Sequence, residues 1–345
     1  MRDHMVVASR AELQPLLELT QRVGTDPLLT QASTGNSSMK LDGVLWIKAS
    51  GKWMADATSE DFLIPLDLKE VKECLKRGID PSKRYPGASV ETAMHATLPH
   101  RVVLHVHCVN TIAWAVRSDA RIQLQHLLAA LYWQWIPYTA SGLPLSQQIG
   151  QALCACPDRN LFVLGNHGLI IGGRDAKDVE DLLTEVRSRS AISPRKAPLP
   201  DYAALAELCK DSFWELPNDD EIHGLGTDVI SQAILAEGLL YPCQAIFSDC
   251  GTIDPFRAIA YHDLANHWQD RYCNRRFLII QGRGVLVNKS IMPAELAMIS
   301  GLARVVQRLD SVTPLRYLTR AELAEISTQA VYRYREHANQ RRSRR

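Results

Sequence analysis

Residues 101–109 read RVVLHVHCV, and residues 160–171 read NLFVLGNHGLII. The first stretch is an apolar run interrupted by His105 and His107. Side chains in a strand alternate between faces, so residues two apart share one face, and both imidazoles can converge on one metal ion. His is the commonest metal-ligating side chain. The second stretch reads as two apolar strands separated by a glycine-bearing turn, with His167 on the turn between Asn166 and Gly168. A His in that position has little packing to do, which makes it a candidate third ligand. Three His ligands leave an open position on zinc, the mark of a catalytic rather than a structural site. Taken alone, His-x-His is a signal of moderate strength.

Working outward, the spacing of Leu13, Leu16, Leu17, Leu19 and Val23 predicts a helix over 10–23. Asp42-Gly43 between two apolar runs predicts a hairpin over 39–47, because a primed turn needs positive φ at both central residues. DLKEVKECLKR predicts a helix over 67–77 stopped by Gly78. Helices are also predicted over 90–98, over 122–135 as a largely buried helix, and over 176–190.

SPRKAPLPDY, residues 193–202, holds three prolines and is poor helix material, so the boundary between two domains is placed there. The prediction is a catalytic domain over 1–192 and a second α/β domain over 203–345. That second part echoes the first. RFLIIQGRGVLVN, residues 276–288, aligns with NLFVLGNHGLIIG, residues 160–172, and Gly284 falls on Gly168. In the echo Arg283 replaces His167, so a duplicated unit would have no equivalent metal site. A chance recurrence of glycine-turn hairpins is the alternative.

The chain has 345 residues, which at about 150 per domain agrees with two domains. Apolar residues make up 46% and charged residues 22%, ordinary values for a globular protein. The 39 basic and 38 acidic residues leave a net charge of +1, which argues against nucleic acid as a partner. The Arg-rich stretch 331–345 is read as a solvated tail rather than an anion-binding arm. No apolar stretch approaches the ~20 residues of a membrane span, and the first residues lack the apolar core of a signal peptide. The eight cysteines are scattered without a Cys-x-x-Cys pair, so a reduced, cytoplasmic location is the expectation.

Further residues supply chemistry around the histidines. Glu91 precedes the ligand strand and can act as an acid/base group, although Glu91 and His95 at i,i+4 also suit a surface pair. Two small-residue loops, Ser33–Ser38 and Ala49–Gly51, expose amides and hydroxyls of the kind that bind phosphate oxygens, and Ser89 adds a hydroxyl. Neither loop fits a Walker or dinucleotide fingerprint. Lys40, Lys48 and Lys52 lie near the loops and read as solvated or phosphate-steering. A three-His Lewis acid, a carboxylate and a phosphate clamp suit bond cleavage or proton abstraction beside a carbonyl.

The ordered pieces GNSS at 35–38, ASG at 49–51, SVE at 89–91, HVH at 105–107 and GNHG at 165–168 resemble the class II aldolase/adducin family. LWIKASGKWMADAT and ETAMHATLPHRVVLHVH are most similar to the aldolase part of bifunctional rhamnulose-1-phosphate aldolase/alcohol dehydrogenases. In those proteins a short-chain dehydrogenase domain follows; here no G-x-x-x-G-x-G loop appears after residue 200.

The resemblance implies an α/β fold with a central, mostly antiparallel sheet flanked by helices, plus a second α/β domain that is a candidate degenerate copy. It implies Zn2+, or another divalent first-row metal, on His105, His107 and His167, with Glu91 as catalytic acid/base. Phosphate contacts are implied for Gly35, Asn36, Ser50, Gly51 and Ser89. The implied reaction is retro-aldol cleavage of a ketose 1-phosphate through a zinc-stabilised enediolate, giving dihydroxyacetone phosphate and a small aldehyde. The partner is then a small-molecule sugar phosphate, and the assembly a homo-oligomer. Epimerase or decarboxylase chemistry on the same fold, or a non-catalytic adducin-like scaffold, are the alternatives. Val90 stands where small members often have a second Ser, which puts the shape of the phosphate pocket in question. The proton donor on the aldehyde side stays open between Tyr132 and Tyr138, with His126 nearby.

Overall fold

Asp42 and Gly43 take φ of 47° and 78°, the left-handed pair that a primed two-residue turn requires. The chain reverses there, pairing β1 (Asn36–Leu41) antiparallel with β2 (Val44–Lys48). The computed structural model describes residues 9–59, 61–85, 87–247, 256–264 and 268–328. The described residues fall into two compact units. One comprises the chain up to Ala115 together with Asp119–Ala191; the other comprises Val116–Ser118 and the chain from Ile192 onward. The Arg-rich stretch 331–345 lies outside the described residues.

In the first unit β3 (Leu63–Asp67) flanks β2, and β4 (Val102–Val106) flanks the other side of β1. Beyond them come β5 (Trp133–Ile136), β6 (Leu161–Leu164) and β7 (Gly168–Gly173). The seven strands run in the order β3-β2-β1-β4-β7-β6-β5, and only β5 and β6 pair in parallel. The sheet is therefore central and mostly antiparallel, as the family resemblance implies.

The period-2 alternation of β4 sorts its residues between two layers. Val102, Leu104 and Val106 pack with Leu13, Leu16 and Leu19 of the helix Arg10–Thr25 and with Val179 and Leu183 of the helix Ala176–Arg189. Val103 packs on the other face with Met94 of the helix Thr92–Thr97 and Leu145 of the helix Leu143–Ala155. His105 follows Val103 by two residues and so faces the Thr92–Thr97 helix.

The helix expected over 122–135 is corrected. Helix covers only Ala120–Leu127, and Trp133–Ile136 forms β5. Trp133 and Ile136 are buried where the strand packs, whereas Ile122 is 63% exposed, so the helix is not the buried element. A short apolar run rich in aromatic residues carries no decisive helical period, and pairing with β6 settles it. Among the described residues no helix is long and apolar enough to cross a membrane.

The second unit holds β8 (Trp214–Glu215), β9 (Phe277–Ile280) and β10 (Gly284–Asn288) in the order β8-β10-β9. Its hairpin repeats that of the first unit residue for residue. Leu164 pairs with Gly168 in β6–β7, and Ile280 pairs with Gly284 in β9–β10, each shifted by 116 residues (284 − 168). The turn residues Asn166 and Gly282, related by the same shift (282 − 166), both have positive φ. β10 then borders an antiparallel strand, as β7 borders β4, and β9 takes a parallel bridge from Ile259, as β6 takes β5. A helix follows the hairpin in both places, Ala176–Arg189 and Pro293–Val306. In this register Glu215 stands where Leu104 does, so Leu216, Asn218 and Arg283 occupy the places of His105, His107 and His167. None of the three is a usual ligand of a zinc site.

Truncating Leu104, which is fully buried between sheet and helices, to Ala is expected to cost about 2–5 kcal/mol. The urea midpoint of the purified variant should fall with little change in slope.

Candidate metal centre

His105 closes the core-facing row of β4, and His107 lies just past the end of that strand. His167 arrives from the β6–β7 turn, where Asn166 takes φ 52° and the His167 amide donates to Leu164 O at 3.2 Å. The turn lies tight against β4: a Cβ on Gly168 would come within 2.5 Å of Val106 O and 3.4 Å of His105 Cε1. Any larger residue there would push the turn, and His167 with it, off the strand.

The three imidazoles meet edge to face, with ring centroids 5.0, 4.9 and 5.0 Å apart. All three are buried, and one ligand atom from each lies within 4.8 Å of the others. His105 and His107 approach to 3.1 Å between their Nε2 atoms. Two nitrogens bound tetrahedrally at 2.0–2.1 Å from one ion would stand roughly 3.3 Å apart. His105 Nδ1 donates to Leu169 O at 3.0 Å, which fixes the tautomer that leaves Nε2 bare toward the centre. The residues present therefore fit a divalent cation.

Glu91 completes the centre. It is 1% exposed and precedes the helix Thr92–Thr97 as its cap. One carboxylate oxygen lies 3.5 Å from His105 Nε2 and the other 3.5 Å from His167 Nε2. Asn36 Nδ2 donates to Oε2 at 2.7 Å, and Ser141 Oγ donates to Oε1 at 3.2 Å. Asn36 is brought here by β1, whose register sets it directly opposite His105.

The remaining expected site residues gather beside this core. Asn36 Nδ2 also donates to Ser89 Oγ at 3.2 Å, and the Glu91 amide donates to the same hydroxyl at 3.3 Å. Gly35, with φ 69°, turns the chain into β1 directly under the His105 carbonyl. The second loop joins through the backbone: Ala49 bridges Ala88, the Ser50 amide donates to Gly87 O at 2.9 Å, and Gly51 follows with φ 77°.

The lysines are corrected in part. Lys48 is buried rather than solvated, and its ammonium donates to Ser33 O at 3.0 Å in the first small-residue loop. Lys40 sits four residues beyond Asn36 along β1, where Nζ donates to His100 O at 2.8 Å. Burial, aided by the nearby charge of Lys72, pushes its amine down to about 7. Of these three lysines, only Lys52 is exposed. Of the tyrosine candidates, Tyr132 is 64% exposed, whereas the Tyr138 backbone abuts the Gly165 turn next to His167.

Three groups around Glu91 escape the reading of sequence alone. His95 is wholly buried, not a surface partner of Glu91, and Asn36 bridges the two. Ser38 hydrogen-bonds His95 Nδ1 at 2.7 Å. Ser141 belongs to a second Ala-Ser-Gly triplet, residues 140–142, whose likeness to 49–51 is the signal that could have found it.

Residues 14–192 match the class II aldolase and adducin N-terminal domain, more than half of the 345-residue chain, and the protein belongs to that family. A Bacillus subtilis (strain 168) protein named as an uncharacterized oxidoreductase, YuxG, is 25% identical over 187 residues. The match takes in 48% of this chain and 27% of YuxG, so the chain spans about a quarter of that relative. Among solved structures, the N-terminal class II aldolase domain of a conserved Thermoplasma acidophilum protein is 21% identical with a TM-score of 0.47, covering 55% of this chain and 97% of that one. L-fuculose-1-phosphate aldolase from Thermus thermophilus is 20% identical with a TM-score of 0.38, covering 51% and 91%.

The ligand set predicts a clean separation of roles. His107→Ala should lose bound metal in elemental analysis of the purified protein. Glu91→Gln, which keeps all three imidazoles, should retain close to one ion per chain.

Proposed function

We propose that the protein is a metal-dependent aldolase that cleaves a ketose 1-phosphate, with rhamnulose 1-phosphate the first to try, into dihydroxyacetone phosphate and a small aldehyde. The observation that carries this reading is the Glu91 carboxylate held 3.5 Å from two of three converging imidazoles. A proton carrier thus stands where charge develops during cleavage beside a carbonyl.

In this reading His105, His107 and His167 hold Zn2+ or another divalent first-row ion. When bound, that ion supplies the Lewis acidity that polarises a carbonyl and offsets negative charge growing next to it. Asn36, Ser50, Gly51 and Ser89 bind the phosphate, with Gly35 shaping the loop, and Asn36 also joins the phosphate side to Glu91. Anchoring that end presents the bond between carbons three and four to the carboxylate. As that bond breaks, the Glu91 carboxylate takes the proton of the hydroxyl on carbon four, and the electron pair passes to the phosphorylated three-carbon fragment. Glu91 then returns a proton to carbon three. The chemistry belongs to residues 1–192, while 203–345 form a second α/β domain whose hairpin repeat carries no ligand set. The working protein in this reading is a homo-oligomer.

The test is conversion of rhamnulose 1-phosphate by the purified protein, with products identified. Two carbon fragments, lost on chelation and restored by Zn2+, support the reading. Undiminished turnover after complete metal removal would refute it. Epimerised sugar or released carbon dioxide would replace it with the related chemistries, and a natively metal-free protein would favour a scaffold. Glu91→Gln is expected to lower kcat by about 10²–10⁴-fold, the usual worth of a positioned acid/base group.

A further inference from the structure

Ser38, His95, Asn36 and Glu91 form one continuous hydrogen-bonded row beneath the metal centre, and all four are buried to 1% exposure or less. The row follows from two matched spacings. Asn36 and Ser38 are two apart on β1 and share a face, separated by about 6.6 Å of strand rise. Glu91 and His95 are four apart and share a helix face, separated by about 6.0 Å of helix rise. The strand pair and the helix pair therefore interleave, each group of one lodged between groups of the other.

The polarity of the row is fixed by what each member can donate or accept. The Asn36 amide nitrogen faces Glu91 Oε2 at 2.7 Å and Ser89 Oγ at 3.2 Å. Asn36 Oδ1 is then left facing His95, which must offer Nε2–H. A neutral imidazole has one donor and one acceptor nitrogen, so Nδ1 must accept, and the Ser38 hydroxyl is the donor beside it. Burial keeps the ring neutral, lowering its pKa to about 3. The Glu91 carboxylate on the far side of Asn36 pulls toward a second proton on His95, Lys40, His105 and Lys48 oppose it, and burial outweighs the carboxylate.

We propose that His95 is a positioning residue: held as the Nε2–H tautomer by Ser38, it donates to Asn36 Oδ1 and so turns the Asn36 amide nitrogen onto Glu91. A carboxamide is nearly symmetric in shape, so its orientation is set by its partners, Glu91 and Ser89 on the nitrogen side and His95 on the oxygen side. Flipped, it would set an oxygen against the carboxylate and release Glu91 from the hydrogen bond that Asn36 Nδ2 donates. The role of Glu91 as acid/base rests on the function proposed above; the direction of the row does not.

The experiment has two arms. In the first, the full-length protein is labelled with 15N-histidine, and long-range proton–nitrogen correlations report the tautomer of each ring, His95→Gln serving to assign the signal. The expected result is His95 protonated at Nε2 and bare at Nδ1, unchanged between pH 6 and 8. A ring protonated at Nδ1, or at both nitrogens, overturns the proposal whether or not the protein is an aldolase. In the second arm, His95→Phe removes the donor and keeps a ring. Cleavage of ketose 1-phosphate should fall at least about tenfold in kcat, with KM within about threefold and metal content unchanged, and His95→Gln should recover part of the loss. A kcat within twofold of the parent overturns the proposal. Should His95→Phe fail to fold, Ser38→Ala is read instead: a mixed His95 tautomer supports the proposal, and an unchanged one overturns it.

Discussion

The antiparallel pairing of β4 with β7 is the constraint on which the rest of the structure depends. It sets Val106 opposite Leu169 at the end of the ladder, so the chain leaving β4 and the turn entering β7 emerge at the same place. Two of the converging imidazoles ride on the first and one on the second. On the other side of β4, the pairing with β1 sets Asn36 opposite His105. A row of backbone hydrogen bonds with a fixed two-residue period thus carries four polar side chains to one buried spot. The apolar layers on either face keep water from competing there.

Much of this was readable from residue spacing. The two-residue interval of His105 and His107 needs only the alternation of a strand, and Asp42-Gly43 announces its turn through backbone sterics. The turn at His167 is legible because glycine and asparagine are the residues that tolerate its backbone. What was not legible is set by tertiary contact. Trp133–Ile136 is short and apolar, and only pairing with β6 decides that it is a strand. His95 follows Glu91 by one helical turn, a pattern equally suited to a solvated pair; its burial depends on β1 lying across that helix. Lys48 reads as a solvated strand end, yet the loop at Ser33 folds over it and offers a carbonyl.

The second unit shows which parts of this arrangement are architecture and which are chemistry. Its hairpin keeps the register, the positive-φ turn and the following helix, while Leu216, Asn218 and Arg283 take the ligand places. Arg283 pairs with Asp201 and lies 5.1 Å from the centre of the Tyr261 ring. Strand pairing is satisfied by backbone groups and is indifferent to which side chain fills the turn. The two hairpins thus share their strand register and turn placement and differ in the residues that stand at the three imidazole places.

Asn36 and His105 occupy facing rungs of the same ladder. Sliding either strand by one residue would turn its own polar side chain to the opposite layer and, in the same stroke, bring that strand's apolar residues out of their compartment. Assembly of the centre and correctness of the core are consequently one event. A cell that discards misfolded copies of this chain is, without inspecting the centre, also discarding the copies in which it was never built.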